Sequence, residues 1–243
     1  MKDKKFSLQV ILLIGLVIII SAVVIALGFK NIKPTDHAFV VTGSAVMQVV
    51  SDTAKINGSI SHTVPISELQ SGYALVAADI DVVKKNIEGY GISSNEITIL
   101  APTAYEQNSY NQNGEITSQN YNVRQNIIVS TNNVDAITKF GNAVSELAKQ
   151  DIFFQTSGPE YYYSKLAEAR VSLLGQAVKD AKARAESIAN NANSKVGMLQ
   201  AVSGGIVQVL APNSTDISDY GSYDTSTINK DIMVTVKAEF KIN

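Results

Sequence analysis

Twenty-four consecutive residues, Phe6–Phe29, carry no formal charge. Inside that stretch Leu8–Leu27 is an apolar run of 20 residues, and fourteen of the residues from Val10 to Leu27 are Val, Ile or Leu. At ~1.5 Å per residue a helix here is ~30 Å long, one hydrocarbon thickness. Insertion is favourable by about 4–8 kcal/mol before Gln9, Gly15 and Ser21 are set against it. A cleaved leader is the rival reading. Its apolar region is usually ~7–15 residues, and Ala26-Leu27-Gly28 is a poor cleavage site. No polar stripe is present, which argues against a buried core helix. The sequence therefore predicts a cytoplasmic N-terminus at 1–7, a retained transmembrane signal anchor at 8–29, a linker at 30–36 and a folded body at 37–243. Lys2, Lys4, Lys5 and the terminal amine precede the run, and Lys30 and Lys33 follow it. The positive-inside bias places the body outside the cytoplasm.

Composition narrows what the body does. After residue 29 there are 17 basic and 21 acidic residues. A mildly acidic body argues against a nucleic-acid grip or a basic surface on anionic lipid. Cysteine is absent, which removes disulfides, thiolate zinc sites and a Cys nucleophile.

Periodicity gives the elements. Phe39–Val50 and Thr53–Ser61 read as strands around a tight Ser51-Asp52 turn. In Pro65–Gly89 apolar residues recur at spacings of 3 and 4 (Leu69, Tyr73, Val76, Ile80, Val83, Ile87), a helix stripe facing a sheet. Glu96–Tyr105 and Tyr121–Ser130 read as strands, with Asn113-Gly114 as a hairpin turn between them. Asn133–Gln150 reads as a second helix and Asp151–Ser157 as a strand. Ser164–Asn193 reads as a long third helix. Its stripe (Leu173, Ala177, Ala181, Ala185, Ile188) is mostly Ala, suited to close approach, and Asp180 and Arg184 form an i,i+4 pair. Met198–Leu210 is a strand bent at Gly204-Gly205, and Asp231–Ile242 alternates cleanly. The two polar segments Glu106–Asn120 and Ala211–Thr227 read as solvated loops. The expected fold is α+β: a mostly antiparallel sheet with helices packed on one face, preceded by one transmembrane helix.

An ordered series of segments carries a family resemblance. It comprises Phe39-Val-Val-Thr-Gly-Ser-Ala, Ser51-Asp52-Thr53-Ala54-Lys55-Ile56, Pro102-Thr103-Ala104-Tyr105, Tyr121-Asn122-Val123-Arg124-Gln125 and the helix Ala177-Val178-Lys179-Asp180-Ala181 through Ala185-Glu186-Ser187-Ile188-Ala189. The body resembles the SIMPL domain, also called DUF541 or the periplasmic immunogenic protein family. The resemblance implies an extracytoplasmic bacterial protein of α+β fold, without catalytic residues, with members that assemble into rings. It supplies no cofactor and no functional residue set.

Few residues suggest chemistry. A zinc site would need both histidines, His37 and His62, with carboxylates. Asp216, Asp219 and Asp224 could gather on calcium, but their spacing fails the EF-hand pattern. No nucleophile elbow or phosphate-binding glycine motif occurs. Tyr161, Tyr162 and Tyr163 cannot all face one core from a strand, so at least one is expected to be exposed or in a contact, and they are the candidate oligomer contact. The first expectation is thus a non-enzymatic, single-pass protein of the bacterial inner membrane. It would be anchored by its N-terminal helix, self-associate as a homo-oligomer, bind no cofactor and no nucleic acid, and take part in envelope or oxidative stress tolerance. The alternative is a monomeric adaptor or ligand-binding module acting through its polar loops on a small molecule or partner that the sequence does not identify. An undetected hydrolase is third.

Overall fold

The computed structural model describes residues 14–27 and 38–242. Residues 14–27 form helix α1, whose apolar side chains are exposed along its length, with Ile18 63% accessible. Among the described residues no helix is long and apolar enough to cross a membrane. The remainder of the expected span (8–13 and 28–29), the N-terminus 1–7, the linker 30–36 and His37 lie outside the described residues.

The body runs β1 (Ala38–Val50), β2 (Thr53–Pro65), α2 (Leu69–Gly89), β3 (Ile97–Ile99), β4 (Thr103–Glu106), β5 (Ser109–Tyr110), β6 (Ile116–Ser118), β7 (Asn120–Thr131), α3 (Val134–Ala143), β8 (Gln155–Tyr162), α4 (Leu166–Asn191), β9 (Val196–Leu210) and β10 (Asn229–Ile242). Antiparallel strands and covering helices are as expected, but they form two sheets. Sheet I has the order β1-β10-β9. Sheet II has the order β3-β7-β2-β8, with β4 also on β7. A small β5–β6 hairpin stands apart, its Gly114 in the left-handed region at φ 81°.

The Ser51-Asp52 turn is therefore not a hairpin. β1 pairs with β10 and β2 pairs with β7 and β8. At the crossing, the Ser51 amide donates to Ile228 O at 2.8 Å and the Asp52 amide to Tyr162 O at 3.0 Å. Both groups that a hairpin would satisfy internally are satisfied by other parts of the chain.

In sheet II, Ala54, Ile56, Ile60 and Val64 of β2 and Val123, Ile127 and Val129 of β7 share one face. They meet Val76, Ile80, Val83 and Ile87 of α2 and Ile137 and Phe140 of α3. The helix after Pro65 begins with a 3-10 turn, Ile66–Glu68, and the second helix ends in one, Val144–Gln150. Asn133 caps α3 by accepting the Ala136 amide at 3.1 Å, which satisfies one of the orphan amides of a helix start. The strand expected at Asp151–Ser157 instead lies at Gln155–Tyr162. Gly158, at φ 91°, permits the register shift that brings Pro159 opposite Ile56. The Glu96–Tyr105 strand is two short pieces, β3 and β4, on either side of Pro102, a residue that cannot donate to a ladder.

In sheet I, Ile232, Val234, Val236, Ala238 and Phe240 of β10 are all buried, with Val41 of β1 beside them. α4 covers this face with Leu173, Ala177, Ala181, Ala185 and Ala189. Ile188, expected in the stripe, is instead 54% exposed. A Cβ at Gly43 would collide with the Ala177 carbonyl and the Ala181 methyl, so helix and strand touch backbone to backbone there.

Candidate functional site

The three tyrosines lie where the two sheets meet. Tyr161 is 7% exposed and belongs to the sheet II core, its hydroxyl 2.9 Å from Thr138 Oγ1. Tyr163 packs on the sheet I core beside Val209 and Ile232. Tyr162, between them, is half-buried. Its hydroxyl donates to Glu160 at 2.8 Å, and its ring lies 5.7 Å from that of Tyr223. None of the three is exposed, because the segment runs between two cores rather than along one. Burial, then the hydrogen bond to Glu160, raises the Tyr162 phenol above its ordinary pKa.

Loop 211–228 seals the same junction. Val209 donates to Ser222 O and accepts from the Asp224 amide, both at 2.8 Å, while the Tyr161 amide donates to Thr225 O. Three residues within a four-residue segment, Ser222, Asp224 and Thr225, thus bind the edges of both sheets, and the loop is docked rather than solvated throughout. Beneath it Lys230 is 1% exposed. Its ammonium donates to the Asp224 and Thr227 carbonyls, with Asp224 Oδ1 at 3.4 Å and the Tyr223 ring centroid at 5.7 Å. Burial lowers the Lys230 pKa, and Asp224 offsets part of that. Burial raises the Asp224 carboxyl, but hydrogen bonds from Thr227 and Ser226 leave it below the ordinary value. Asp224 is thereby engaged with lysine and hydroxyls. Asp216 and Asp219 do not join it, and no group of three metal-ligating side chains occurs among the described residues. His62 Nε2 is paired with Asp79 at 2.6 Å.

The open face of sheet II holds a groove of about 510 Å³ lined by Asn57, Ser59, Asn126, Gln155, Ser157 and Leu100. Arg124 borders it, donating to Gln155 Oε1 at 3.0 Å, and the Arg124 Nε itself is buried without a partner.

The most unusual geometry is at the rims of sheet I. β1 and β9 are its two terminal strands. Neither Ala38–Val50 nor Val196–Leu210 contains a charged residue or a proline, two of the devices that keep terminal strands from pairing with other chains, whereas a third, the bulge, is present on β9, whose register against β10 shifts at three places. Among the described residues β1 is closed at one point. The Asp180 carboxylate accepts the Ser44 amide at 2.7 Å, Arg184 Nε pairs with that carboxylate at 2.8 Å, and Arg184 also donates to Ser44 Oγ. The Ser44 amide first and Arg184 next hold the Asp180 carboxyl below the ordinary carboxylate range. Because outward-directed groups alternate along an antiparallel strand, Val40, Thr42, Val46, Gln48 and Val50 turn their amides and carbonyls the same way. Beside Val40 and Thr42 a groove of about 480 Å³ opens against Arg184, Ser187 and Ile188 of α4. On β9, Met198 is 80% exposed and Leu199, Val202 and Ile206 are between 41% and 45%. The sequence held the signal for this site in its two uncharged strands. It held none for Asp180, whose visible i,i+4 pairing with Arg184 hides its reach across to β1.

No curated protein matches the chain. A family model does, that of SIMPL, protein of unknown function (DUF541), over residues 39–240. The match takes in both sheets, all the helices that cover them and the Asp180 segment, and on that extent this chain belongs to the SIMPL (DUF541) family.

Proposed function

We propose that this is a non-catalytic, membrane-anchored protein of the bacterial cell envelope whose body lies outside the cytoplasm and acts by self-association. The observation that carries the reading is the pair of long, uncharged terminal strands of sheet I, each covered only locally, by Asp180 at Ser44 and by the Ser222–Asp224 segment at Val209, among the described residues. Terminal strands of 13 and 15 residues without a charge or a proline are a ready template for pairing with another chain. The apolar run around the bare helix α1 supports the anchor. Anchoring in one bilayer also raises the effective concentration of the bodies, which favours weak edge contacts. The part in envelope or oxidative stress tolerance that belongs to this reading comes from the family resemblance alone.

Two measurements test this. Mass spectrometry of the membrane fraction should find the intact N-terminus, and a chain beginning near Phe29 would remove the anchor. Sedimentation of the full chain in mild detergent should give a defined multimer. A single species of one-chain mass, unchanged on concentration, would remove self-association.

A second reading, a ligand-binding module, is favoured by the amide- and hydroxyl-lined groove on sheet II. Its chemistry suits a neutral, hydroxyl-rich ligand. Calorimetry with short glycans distinguishes it, because the self-association reading expects no heat.

A further inference from the structure

We propose that the end of sheet I where β1 begins and β10 finishes is a membrane-contact tip, seated in the headgroup layer of the phospholipid bilayer that holds the N-terminal anchor. This rests on the anchored reading and adds to it an orientation of the body.

The register of sheet I fixes which residues share that end. Ala38 faces Lys241, and Ile242 faces Val196. Slightly further in, Phe240 faces both Phe39 and Leu199, and Glu239 faces both Val40 and Ala201. α4 finishes at the same end. Its Arg184, Ser187 and Ile188 line a groove with Val40 and Thr42, while the earlier residue Ala177 meets Gly43. Val40, Met198 and Leu199 thus lie within about three strand residues of the tip, roughly 10 Å, and Ile188 stands beside Val40. All four are exposed, Val40 at 62% and Met198 at 80%. They come from three different elements, and ~5–10 Å is the depth that an apolar surface reaches in the headgroup–acyl boundary.

Two observations point to lipid as the occupant. The first is the length of the tether. The uncharged run ends at Phe29 and β1 starts at Ala38. Those nine residue steps span at most ~32 Å, whereas Val50, at the other end of β1, stands about 40 Å beyond Ala38. In the anchored chain the Ala38 tip is the part of sheet I tied closest to the bilayer. Its effective concentration there lets a contact of a few side chains persist.

The second is the lengthwise arrangement of charge. Residues 187–204, which turn at the tip, contain one lysine, Lys195, and no acidic residue, and β1 carries no charge at all. Lys195 is exposed, in reach of headgroup phosphates. The other charges near the tip are Lys237, Glu239 and Lys241 of β10 and the Asp180–Arg184 and Lys182–Glu186 pairs of α4. The loop at the opposite end of the sheet, 211–228, contains Asp216, Asp219 and Asp224 and no basic residue. The body as a whole is acidic, so the contact belongs to this apolar tip and not to a basic face. An anionic bilayer favours the end that holds the lysines and repels the end that holds the aspartates.

The natural absence of tryptophan makes the test clean. Single tryptophans are placed in the full chain by Met198→Trp and Val40→Trp at the tip, by Val50→Trp at the opposite end and by Ile18→Trp in the anchor. All four side chains are exposed, so each variant should keep the unfolding midpoint of the natural chain. The variants are reconstituted into vesicles of phosphatidylcholine and phosphatidylglycerol, with ordinary or brominated acyl chains, and recovered by flotation. Brominated chains should lower the emission of Met198→Trp, Val40→Trp and Ile18→Trp about twofold or more, the contact expected at headgroup–acyl depth, and leave Val50→Trp unchanged. Quenching of Ile18→Trp alone would overturn the tip contact and leave the anchor standing. No quenching at any position would overturn both. Quenching of Val50→Trp equal to that at the tip would show a body lying flat and would sink the end-on contact. Emission from both tip variants that is blue-shifted in vesicles yet unquenched would show that protein covers the tip, a second copy included, and would also overturn the proposal.

Discussion

Gly43 of β1 lies directly against the backbone carbonyl of Ala177 in α4, with no room for a side chain between them. The contact explains why the helix stripe is Ala at positions 177, 181 and 185, all fully buried. Gly43→Ala should destabilise the body by about 3 kcal/mol, the upper range for forced overpacking of a tight core. Denaturant unfolding followed by tyrosine fluorescence measures it. A loss under about 0.5 kcal/mol would mean that helix and strand separate more easily than this packing implies.

Four carboxyls, Asp52, Glu96, Asp180 and Asp224, are held below their ordinary pKa. Asp180 and Glu96 are lowered mainly by hydrogen bonds, Glu96 first by Thr131. For Asp52 and Asp224 burial acts upward first, and hydrogen bonds, from Ser164 at Asp52, then outweigh it. A carboxyl with a depressed native pKa contributes its full stability above its unfolded value near ~4 and loses it as pH falls through the native value. The unfolding midpoint should hold level from pH 7 down to about 5 and then fall. Asp180→Asn should be less stable than the natural chain at pH 7 and show a shallower loss in acid. An unchanged acid profile would remove Asp180 from this set.

The same carboxylate is the hydrogen-bond acceptor for a strand-edge amide. Hydrogen exchange at Ser44 should be slow in the natural chain and fast in Asp180→Ala, while exchange at Val41, whose amide is directed at β10, stays slow in both. Equal protection of Ser44 in the variant would show that something other than Asp180 covers it.

Lys230 is a buried cation whose partners all come from loop 211–228. Asp224→Ala leaves it uncompensated and should cost about 3–5 kcal/mol, the range for breaking a buried pair on one side. Losing Asp224 also lowers the Lys230 pKa further. The unfolded chain then binds more protons than the native one over a wider range, so the variant should gain stability as pH rises from 7 to 9 more steeply than the natural chain does. The double variant Asp224→Ala, Lys230→Met should cost less than the sum of the single ones. Strict additivity in denaturation would show that the two residues do not act as a pair.

Ile18 is near the middle of the uncharged run. Ile18→Arg should raise the cost of insertion by about 3 kcal/mol on translocon scales. Alkaline extraction of membranes should then release the variant and retain the natural chain. Retention of both would argue against a spanning segment centred there.

Much of the fold was legible because each strand and helix has a local period. The β10 alternation and most of the α2 stripe place the same residues inward that the structure buries, with Tyr73 the exception: it is exposed, and Gly72 is buried beside it. The partition into two sheets was not legible. Ser51-Asp52 has the composition of a hairpin turn, and only its hydrogen bonds to Ile228 and Tyr162 reveal a crossing. The position of β8 was hidden because Gly158 and Pro159 interrupt the alternation and the tyrosines face different cores. Of the candidate site, the uncharged strands could be read directly. Which of them end a sheet, and at what level they are covered, depends on tertiary partners: Asp180 lies 136 residues from Ser44, and the loop that covers Val209 has no local period to announce it.

Sheet I joins the first strand of the body to the last, with Ala38 opposite Lys241. Every pairing of sheet II, by contrast, is complete by Tyr162. Synthesis runs from the N-terminus, so sheet II can fold while β1 waits for β10, which is made after every other strand described. Throughout that wait an uncharged, strand-forming segment is exposed on both edges, which is the period of greatest danger from pairing with the wrong chain. The order of the strands along the sequence thus makes β10 the step that commits the molecule, and chains released before it would carry a finished sheet II and an orphaned β1.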